Sequence, residues 1–371
     1  MGRNNTGSRV WLEVDLKAIR QNFKRIARMV FPSGVMVVLK ADAYGLGTGP
    51  IARTLCKAGA TRLGLAEIKE AVPLLGQVKV PLQILGSLLK SEIPAAVSMG
   101  IVCPVTDYGS ARLLSAEAVR QGKLVRVHFL IDTGMGRLGI PHYSAAREIR
   151  KCLKLPNLDV EGIYSHFSNA NNTRHPKTRE QLSLFKTVLR QLPEVNFPLV
   201  HMANSDAINN FKPSYFNMVR TGINLYGVFD LQGRRIYNLK PTLALKTRLI
   251  ARRKLPAGHT IGYGCTHSLF RDTLVGTIPA GYADGIPMAA GNSARVLISG
   301  RECPIIGRIS MDYVTVDLTS CPRARLGDTV TIFGRSGNRE ITVEDWAKIK
   351  QSHPYDIICS LGKRVERVYK D

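Results

Sequence analysis

Residues 34–66 read GVMVVLKADAYGLGTGPIARTLCKAGATRLGLA. Two apolar runs, GVMVVLK and RLGLA, enclose a glycine-containing turn and a longer amphipathic segment that begins near Thr48. Runs that are continuously apolar instead of alternating are typical of strands buried on both faces, as in parallel sheets. The stretch therefore predicts a strand, a helix and a second strand parallel to the first.

This alternation continues to about Arg220. The candidate strands are GVMVVLK (34–40), RLGLA (62–66), PLQILG (81–86), GIVCPV (100–105), LVRVHFLID (124–132), LDVEGIYSHF (158–167), PLVHM (198–202) and FNMVRTG (216–222). The segment DYGSARLLSAEAVRQG between two of them has helical spacing, with Asp107 as its capping residue. Eight strands with intervening helices predict an α/β fold whose N-terminal domain is a closed (β/α)8 barrel of the TIM type.

After about Asn238 the sequence changes to closely spaced β-rich runs separated by glycine, proline and aspartate turn signals. The runs are TLALKTRLIARRKL, TLVGTIPAGY, ARVLISGRECPIIGRI, DYVTVDL and DTVTIFG. They predict a second, mainly β domain. We place the barrel domain at residues 9–235 and the C-terminal domain at residues 236–371.

The chain carries 52 lysines and arginines against 28 aspartates and glutamates, which gives a net charge of +24. Such a charge attracts polyanions. The basic residues are scattered, however, and no zinc-finger, homeodomain or RNA-recognition signature accompanies them. We therefore expect no specific nucleic-acid partner; a basic host proteome, or a cationic face that attracts anionic metabolites, is the simpler explanation of the charge.

Seven cysteines without a Cys-x-x-Cys pair are typical of isolated thiols in a reducing compartment, and they predict neither a disulfide framework nor a metal site. The first residues, MGRNNTGSRVWLEVD, lack the apolar core of a signal peptide, and no uncharged apolar stretch reaches membrane-spanning length. We expect a cytoplasmic protein that has no membrane partner.

Polar residues near the predicted strand ends are the first candidates for chemistry, because a barrel of this type places its active site where strands end and loops begin. They are Lys40, Arg137, His166, Asn204, Ser205 and Arg220. Lys40 ends an apolar run and precedes the turn ADAYGLG. A partly desolvated lysine at the barrel mouth suits Schiff-base chemistry. A surface lysine that ends a strand is the alternative interpretation.

The stretch VVLKADAYGLG resembles the pyridoxal-phosphate lysine motif of alanine racemases, which are barrel-fold (fold type III) enzymes. Seven further blocks follow in family order: HFLIDTGMGRLG (128–139), EGIYSHFS (161–168), HMANSDA (201–207), NMVRTGINLYG (217–227), IGYGCTH (261–267), IPAGYADG (278–285) and PIIGRISMDYVTVD (304–317). The similarity extends from Arg9 through both predicted domains. Eight blocks in order are a much stronger signal than any one of them.

The resemblance implies a pyridoxal 5'-phosphate enzyme, an isomerase that interconverts L-alanine and D-alanine and so supplies D-alanine for peptidoglycan in the cell wall. Inversion requires a proton to leave one face of Cα and return to the other. By the family pattern, Lys40 acts on the D enantiomer and Tyr263 on the L enantiomer. In the family this tyrosine comes from the partner subunit, so the resemblance also implies a head-to-tail homodimer with shared active sites.

The resemblance assigns further roles. The implied cofactor-binding residues are Lys40, Tyr44, His166, Asn204, Ser205, Arg220, Gly222 and Ile223. Among them, Arg220 faces the pyridine nitrogen, and a phosphate site includes Tyr44, Ser205 and the backbone of Gly222 and Ile223. The implied substrate-carboxylate contacts are Arg137 and the Met311 amide. The implied entrance gate consists of Tyr282 and Asp312.

Two positions depart from the family pattern. Leu130 stands where many relatives carry a carbamylated lysine that braces the arginine corresponding to Arg137, and Lys363 stands where some relatives place a tyrosine near the phosphate. A racemase of serine or of another amino acid, with broader specificity, is therefore an alternative. A barrel-type decarboxylase of basic amino acids is a weaker one, because no family-like cysteine loop follows the barrel. A noncatalytic cofactor carrier or polyanion-binding protein is the third.

Overall fold

The computed structural model describes residues 7–230 and 238–371. In chain order the helices are α1 (Leu16–Val30), α2 (Lys40–Gly45), α3 (Thr48–Lys57), α4 (Ile68–Ala71), α5 (Ile93–Ser98), α6 (Tyr108–Arg120), α7 (Ala145–Cys152), α8 (Lys177–Arg190), α9 (Ser205–Asn210), α10 (Val343–Lys350) and α11 (Pro354–Cys359). The strands are β1 (Val10–Asp15), β2 (Gly34–Val38), β3 (Arg62–Leu65), β4 (Leu82–Ile84), β5 (Cys103–Val105), β6 (Val125–Asp132), β7 (Ile140–Pro141), β8 (Leu158–Tyr164), β9 (Leu199–His201), β10 (Met218–Thr221), β11 (Leu243–Arg248), β12 (Ala251–Leu255), β13 (Thr260–Ile261), β14 (His267–Ser268), β15 (Thr273–Ile278), β16 (Arg295–Ile298), β17 (Arg301–Pro304), β18 (Val314–Asp317), β19 (Thr329–Ser336), β20 (Arg339–Ile341) and β21 (Glu366–Lys370).

All eight predicted barrel strands are present, and they pair in parallel in the order β4-β3-β2-β10-β9-β8-β6-β5. The two end strands approach each other through a parallel bridge between Gln83 and Val102. Beside that bridge, the Ile84 amide donates to the Val102 carbonyl at 3.0 Å, and the Val102 amide donates to the Leu82 carbonyl at 2.9 Å. The predicted α/β barrel is confirmed.

Burial explains why the strand runs are continuously apolar. Residues Val35, Met36, Val37 and Val38 of β2 are all buried, so both faces of the strand are covered. The connecting helices instead bury a single face, as Ala111, Leu114, Ser115 and Ala118 of α6 do. The Asp107 side chain accepts a hydrogen bond from the Ser110 amide at 2.7 Å, which confirms it as the cap of α6.

The barrel interior also contains polar side chains. His128 and His201 have no exposed surface, and Arg62 and Arg220 are each only 4% exposed. Buried polar groups of this kind are costly unless they are hydrogen-bonded. Their partners determine the geometry of the candidate site described below.

The C-terminal region is mainly β, as predicted. One sheet has the order β17-β16-β19-β11-β1-β21, β12, β15 and β18 form a second sheet, and β13 and β14 form a hairpin. Two helices, α10 and α11, accompany these strands. The strand β1 is part of the first sheet because it pairs antiparallel with β11 and parallel with β21.

The described chain divides into two compact units. The barrel unit comprises Arg20–Leu225 with residues 238–239, and the strand-rich unit comprises residues 7–19, 226–230 and 240–371. The domain limits 9–235 and 236–371 stay a prediction, and the point where they meet lies outside the described residues. Within the described ranges, no helix is both long enough and apolar enough to cross a bilayer.

Candidate active site

Lys40 begins an unusual turn directly after β2. The four residues Ala41–Tyr44 have φ values between 53° and 64°, which is the left-handed helical region. Residues other than glycine enter this region at a cost of about 1–2 kcal/mol each. Glu70 helps to hold the turn, because its carboxylate accepts from the Ala41 amide at 2.6 Å and from the Ala66 amide at 2.7 Å. The loops that follow β2 and β3 are thereby tied together at the barrel mouth.

Hydroxyl and amide groups come together where Tyr44 lies against the end of β10. Tyr44 is 4% exposed, and the Gly222 amide donates to the Ser205 hydroxyl at 2.9 Å. A Cβ atom at Gly222 would clash with the Tyr44 hydroxyl. Only glycine therefore allows Tyr44 and Ser205 to approach this backbone together. Two hydroxyls beside a strand end are suitable donors for a phosphate group.

Two other predicted cofactor residues lie beside these groups. The Asn204 side chain accepts from the Ala207 amide at 3.0 Å and so caps α9, which begins at Ser205. Ile223 is 1% exposed and begins the short 3₁₀ turn Ile223–Tyr226 that follows β10. Asn204 thus positions the backbone that carries Ser205.

Arg220, on β10, is surrounded by acceptors that carry no negative charge. Its guanidinium donates to the carbonyls of Ser165 (2.8 Å), Met202 (3.0 Å) and His201 (3.2 Å). It also contacts Nδ1 of His201 at 2.7 Å and Nδ1 of His166 at 3.2 Å. Burial lowers the pKa of Arg220 to about 10, because the charged form is poorly solvated. The side chain therefore remains a cation at neutral pH and can only donate hydrogen bonds.

A continuous hydrogen-bonded chain leads from Arg220 through the barrel interior to the first residue of β3. His201 Nε2 lies 3.0 Å from His128 Nδ1, His128 Nε2 lies 2.9 Å from Glu161 Oε2, and Glu161 Oε1 lies 2.7 Å from Arg62. We call these five residues the buried polar chain. Because Arg220 only donates, His201 accepts at Nδ1 and donates from Nε2, and His128 then donates from Nε2 to Glu161. Every ring nitrogen therefore has a defined role.

The charge states in the buried polar chain follow from burial and pairing. Burial lowers the pKa of His201 well below its usual value, and the charge on Arg220 lowers it further. Burial also lowers the pKa of His128, although the hydrogen bond to Glu161 opposes this. For Glu161 burial alone would raise the pKa, but hydrogen bonds from His128 and Arg62 lower it to about 2. The chain thus contains two neutral imidazoles between Arg220 and a carboxylate.

His166 lies where the charges of three predicted site residues converge. Burial lowers its pKa well below the usual value, and the positive charges of Arg220, Arg137 and Lys40 lower it further, in that order. The Gln181 side chain donates to the His166 carbonyl at 3.0 Å and fixes its backbone. Arg220 therefore contacts a neutral imidazole at the barrel mouth, and the charges of Arg137 and Lys40 act on the same ring.

Arg137 is exposed and lies on the loop between β6 and β7. The carboxylate of Asp132 accepts from the amides of Gly134, Met135 and Gly136 at 2.8, 2.9 and 3.1 Å. Leu130, the position of the departure noted above, is 5% exposed. Asp132 thus fixes the backbone that leads to Arg137.

The strand-rich unit brings together Tyr282, Met311 and Asp312. The Tyr282 amide donates to the Ser310 carbonyl at 3.1 Å, and the next amide, that of Ala283, donates to the Met311 carbonyl at 3.2 Å. Tyr282 and Met311 are 42% and 52% exposed. The predicted gate residues and the predicted carboxylate contact therefore lie on two loops that are hydrogen-bonded to each other.

Tyr263 lies in the connection between β13 and β14. It is flanked by Gly262 and Gly264, whose φ values of 70° and 73° suit glycine. Its side chain is 72% exposed, which is unusual for an aromatic residue. The motif IGYG thus places a largely solvent-exposed tyrosine between two glycines.

Sequence reasoning missed several residues that shape the site. Glu70, Asp132 and Gln181 hold loops through backbone groups, and no sequence pattern announces such contacts. The residues His128, Glu161 and His201 lie inside the blocks HFLIDTGMGRLG, EGIYSHFS and HMANSDA, but their mutual contacts require the closed barrel. The sequence signal that could have indicated these three residues was the presence of polar side chains in the middle of apolar strand runs.

We predict that the free energy of unfolding falls as the pH is lowered below about 6.5, the usual pKa of histidine. In this pH range the histidines of the unfolded chain become protonated, whereas His128 and His201 of the folded protein stay neutral because they are buried. Each histidine contributes at most about 1.4 kcal/mol per pH unit. Below about pH 4.5, protonation of Glu161 in the unfolded chain adds to the loss. Urea unfolding at about pH 7.5, 6.5 and 5.5, which span the usual pKa of histidine, measures the slope.

His201→Gln is the matched variant, because glutamine keeps one acceptor and one donor without a titration in this range. The slope between the two lower pH values should be clearly smaller in this variant. An unchanged slope would mean that His201 is not a source of the pH dependence.

Known proteins resemble this chain over nearly its whole length. Residues 14–230 match the family model for the alanine racemase N-terminal domain, and residues 242–369 match that for the C-terminal domain. The chain is 38% identical over 369 residues to an alanine racemase of Desulforamulus reducens, covering 97% of this chain and 98% of the relative. An alanine racemase structure from Clostridium difficile 630 is similar with a TM-score of 0.93 and 29% identity, covering 99% of this chain and 97% of that one. The structure of alanine racemase from Bartonella henselae with covalently bound pyridoxal phosphate has a TM-score of 0.90 and 30% identity, covering 98% of this chain and 100% of that one. The two family models together cover nearly the whole chain, and the chain belongs to the alanine racemase family.

Proposed function

We propose that the chain is a pyridoxal-5'-phosphate-dependent racemase that interconverts L-alanine and D-alanine. The observation that carries the proposal is the arrangement at one end of the barrel, where Tyr44 and Ser205 meet the backbone of Gly222 and Arg220 contacts His166 at 3.2 Å. At the barrel mouth, Lys40 provides an amine nucleophile, Arg137 a partner for the substrate carboxylate and Arg220 a charged hydrogen-bond donor. Relatives that are named alanine racemase support the choice of substrate.

The residues at the barrel mouth fit pyridoxal phosphate. Tyr44, Ser205 and the backbone at Gly222 supply the hydroxyl and amide groups for the phosphate, with Ile223 and Asn204 beside them. Lys40 supplies the amine for covalent attachment. When bound, the cofactor withdraws electrons from the substrate Cα and so makes its proton removable.

Arg220 and His166 define the cofactor environment in this proposal. Arg220 stays protonated at neutral pH and can only donate, so it would hold the pyridine nitrogen of a bound cofactor as a hydrogen-bond acceptor. The buried polar chain keeps the guanidinium fixed through His201. His166, neutral and in contact with Arg220, adds no further positive charge to the site.

Proton transfer in the proposed mechanism uses two bases on opposite faces of Cα. The Lys40 Nζ removes or returns the proton of the D enantiomer, and the Tyr263 hydroxyl does so for the L enantiomer. Arg137 and the Met311 amide bind the substrate carboxylate, and Tyr282 with Asp312 limits access to small substrates. The departure at Leu130 leaves Asp132 as the group that orders the Arg137 loop.

A head-to-tail homodimer with shared active sites is part of the proposal. The exposure of Tyr263 supports it, since an aromatic base that is 72% exposed in its own chain is available to a second copy. The cysteine pattern of the sequence supports a cytoplasmic location. D-alanine formed there would serve peptidoglycan synthesis.

The decisive experiment measures initial rates with L-alanine, L-serine and L-lysine by chiral chromatography. We expect alanine to have the highest kcat/KM, by about tenfold or more over serine, since one extra hydroxyl gives only moderate discrimination. Because enantiomers have equal free energies, reactions started from L-alanine or D-alanine must reach the same equal mixture. Faster turnover of serine would favour the broader racemase, and carbon dioxide release from lysine would favour the decarboxylase.

A further inference from the structure

Arg364 connects the two loops that carry the predicted gate. Its guanidinium contacts both carboxylate oxygens of Asp284, at 2.7 and 3.0 Å, and one carboxylate oxygen of Asp312 at 2.8 Å. It also donates to the Met311 carbonyl at 3.4 Å. One side chain therefore contacts the loop of residues 281–285 and the loop of residues 310–313. No family motif quoted from the sequence includes Arg364.

Asp284 anchors this arrangement. It is 2% exposed, and its carboxylate also accepts from the Gly281 amide at 2.8 Å. A buried carboxylate requires a positive partner and several hydrogen bonds. Arg364 is that partner, and hydrogen bonds to Asp284 and Asp312 raise its pKa. The contact with Asp284 is bidentate and one-sided in burial, because the Asp284 side chain is 3% exposed and that of Arg364 is 48% exposed, whereas the Asp312 side chain is 39% exposed.

The two loops leave little space for adjustment. A Cβ atom at Gly281 would clash with the Met311 carbonyl, so the backbones are in direct contact. The amides of Tyr282 and Ala283 donate to carbonyls of the other loop. A small movement of Asp312 would therefore be transmitted to Tyr282 and to the Met311 amide.

We propose that Arg364 is a positioning residue that sets substrate size selection by clamping Tyr282, Met311 and Asp312 in one geometry. This inference rests on the proposed function, because it assigns those three residues to gate and carboxylate binding. The planar fork of arginine engages two carboxylates at once, which the single ammonium of lysine does not. Arg364 itself does not touch the substrate in this account.

The test compares the wild-type holoenzyme with Arg364→Lys and Arg364→Gln. In both variants, amide exchange in peptides covering residues 281–285 and 310–313 should be faster, by about tenfold or more. KM for L-alanine should rise by about tenfold while kcat changes by less than about threefold, and the ratio of kcat/KM for serine to that for alanine should increase. Arg364→Lys keeps the charge beside buried Asp284, so it remains informative if Arg364→Gln does not fold.

Arg339→Gln is the matched control, because Arg339 forms an arginine–carboxylate contact of 2.7 Å with Glu302 on the same unit. It should leave exchange in both loops, KM and selectivity unchanged. Fast exchange with unchanged KM and selectivity in the Arg364 variants would overturn the positioning role, and unchanged exchange would overturn the clamp. A wild-type protein that fails to racemise alanine would reject the proposed function, while the exchange measurement would still decide whether the clamp exists.

Discussion

Lys40→Ala will abolish both covalent cofactor binding and racemisation. Lys40 directly precedes the left-handed turn Ala41–Tyr44, and Glu70 holds that turn through the Ala41 amide. Removing the amine therefore removes the point of attachment and one proton-transfer group without removing the turn. We expect turnover to fall by at least about 10³-fold, since a nucleophile and a base are lost together. Visible absorbance of the purified protein and initial rates with L-alanine and D-alanine measure both effects.

Borohydride reduction followed by peptide mapping locates the attachment directly. In the wild-type protein the modified peptide should contain Lys40, and in Lys40→Ala no lysine should be modified. Lys57→Ala is a suitable control, because it removes an exposed lysine at the end of α3. A modified lysine elsewhere in Lys40→Ala would mean that covalent attachment of the cofactor does not depend on the Lys40 amine.

The barrel could be predicted from the sequence because its strands are buried on both faces. Each strand appears as a short apolar run, and each of the eight observed barrel strands lies within the residue range predicted for it. The position of β1 could not be predicted in the same way. Its run VWLEVD is buried at the first three residues and at Val14, so it resembles a barrel strand, but its partners β11 and β21 lie more than two hundred residues away in the sequence.

Candidate site residues could be proposed from the sequence where a residue type is tied to its chemistry. Lys40, Arg220 and Tyr263 belong to motifs in which the reactive group itself is recognisable. The geometry that supports them was not predictable. Ala41–Tyr44 adopt positive φ without a glycine among them, and Glu70 reaches them from another loop. Local sequence preferences favour right-handed conformations here, so tertiary contacts decide the outcome.

Tyr263→Phe should severely reduce racemisation while leaving cofactor binding largely intact. The substitution removes one hydroxyl from a side chain that is 72% exposed, so the fold of the hairpin between β13 and β14 should not change. We expect a loss of about 10²–10⁴-fold in turnover, the usual contribution of a positioned acid or base. The visible absorbance should remain. Exchange of the Cα proton from D-alanine, measured in deuterated water, should be less affected than exchange from L-alanine, because Lys40 is still present.

Mixing the two inactive variants tests whether the tyrosine acts across subunits. If Lys40 of one chain works with Tyr263 of the other, a dimer of one Tyr263→Phe chain and one Lys40→Ala chain has one complete site. Random reassociation of equal amounts makes half of the dimers mixed, so about one quarter of the wild-type activity should return. If both groups acted within one chain, no combination of these variants would contain a complete site, and the mixture would stay inactive. Recovery of activity on mixing would therefore establish the shared active site, whereas its absence, with mixed dimers present by mass spectrometry, would place the second base within the same chain or at another residue.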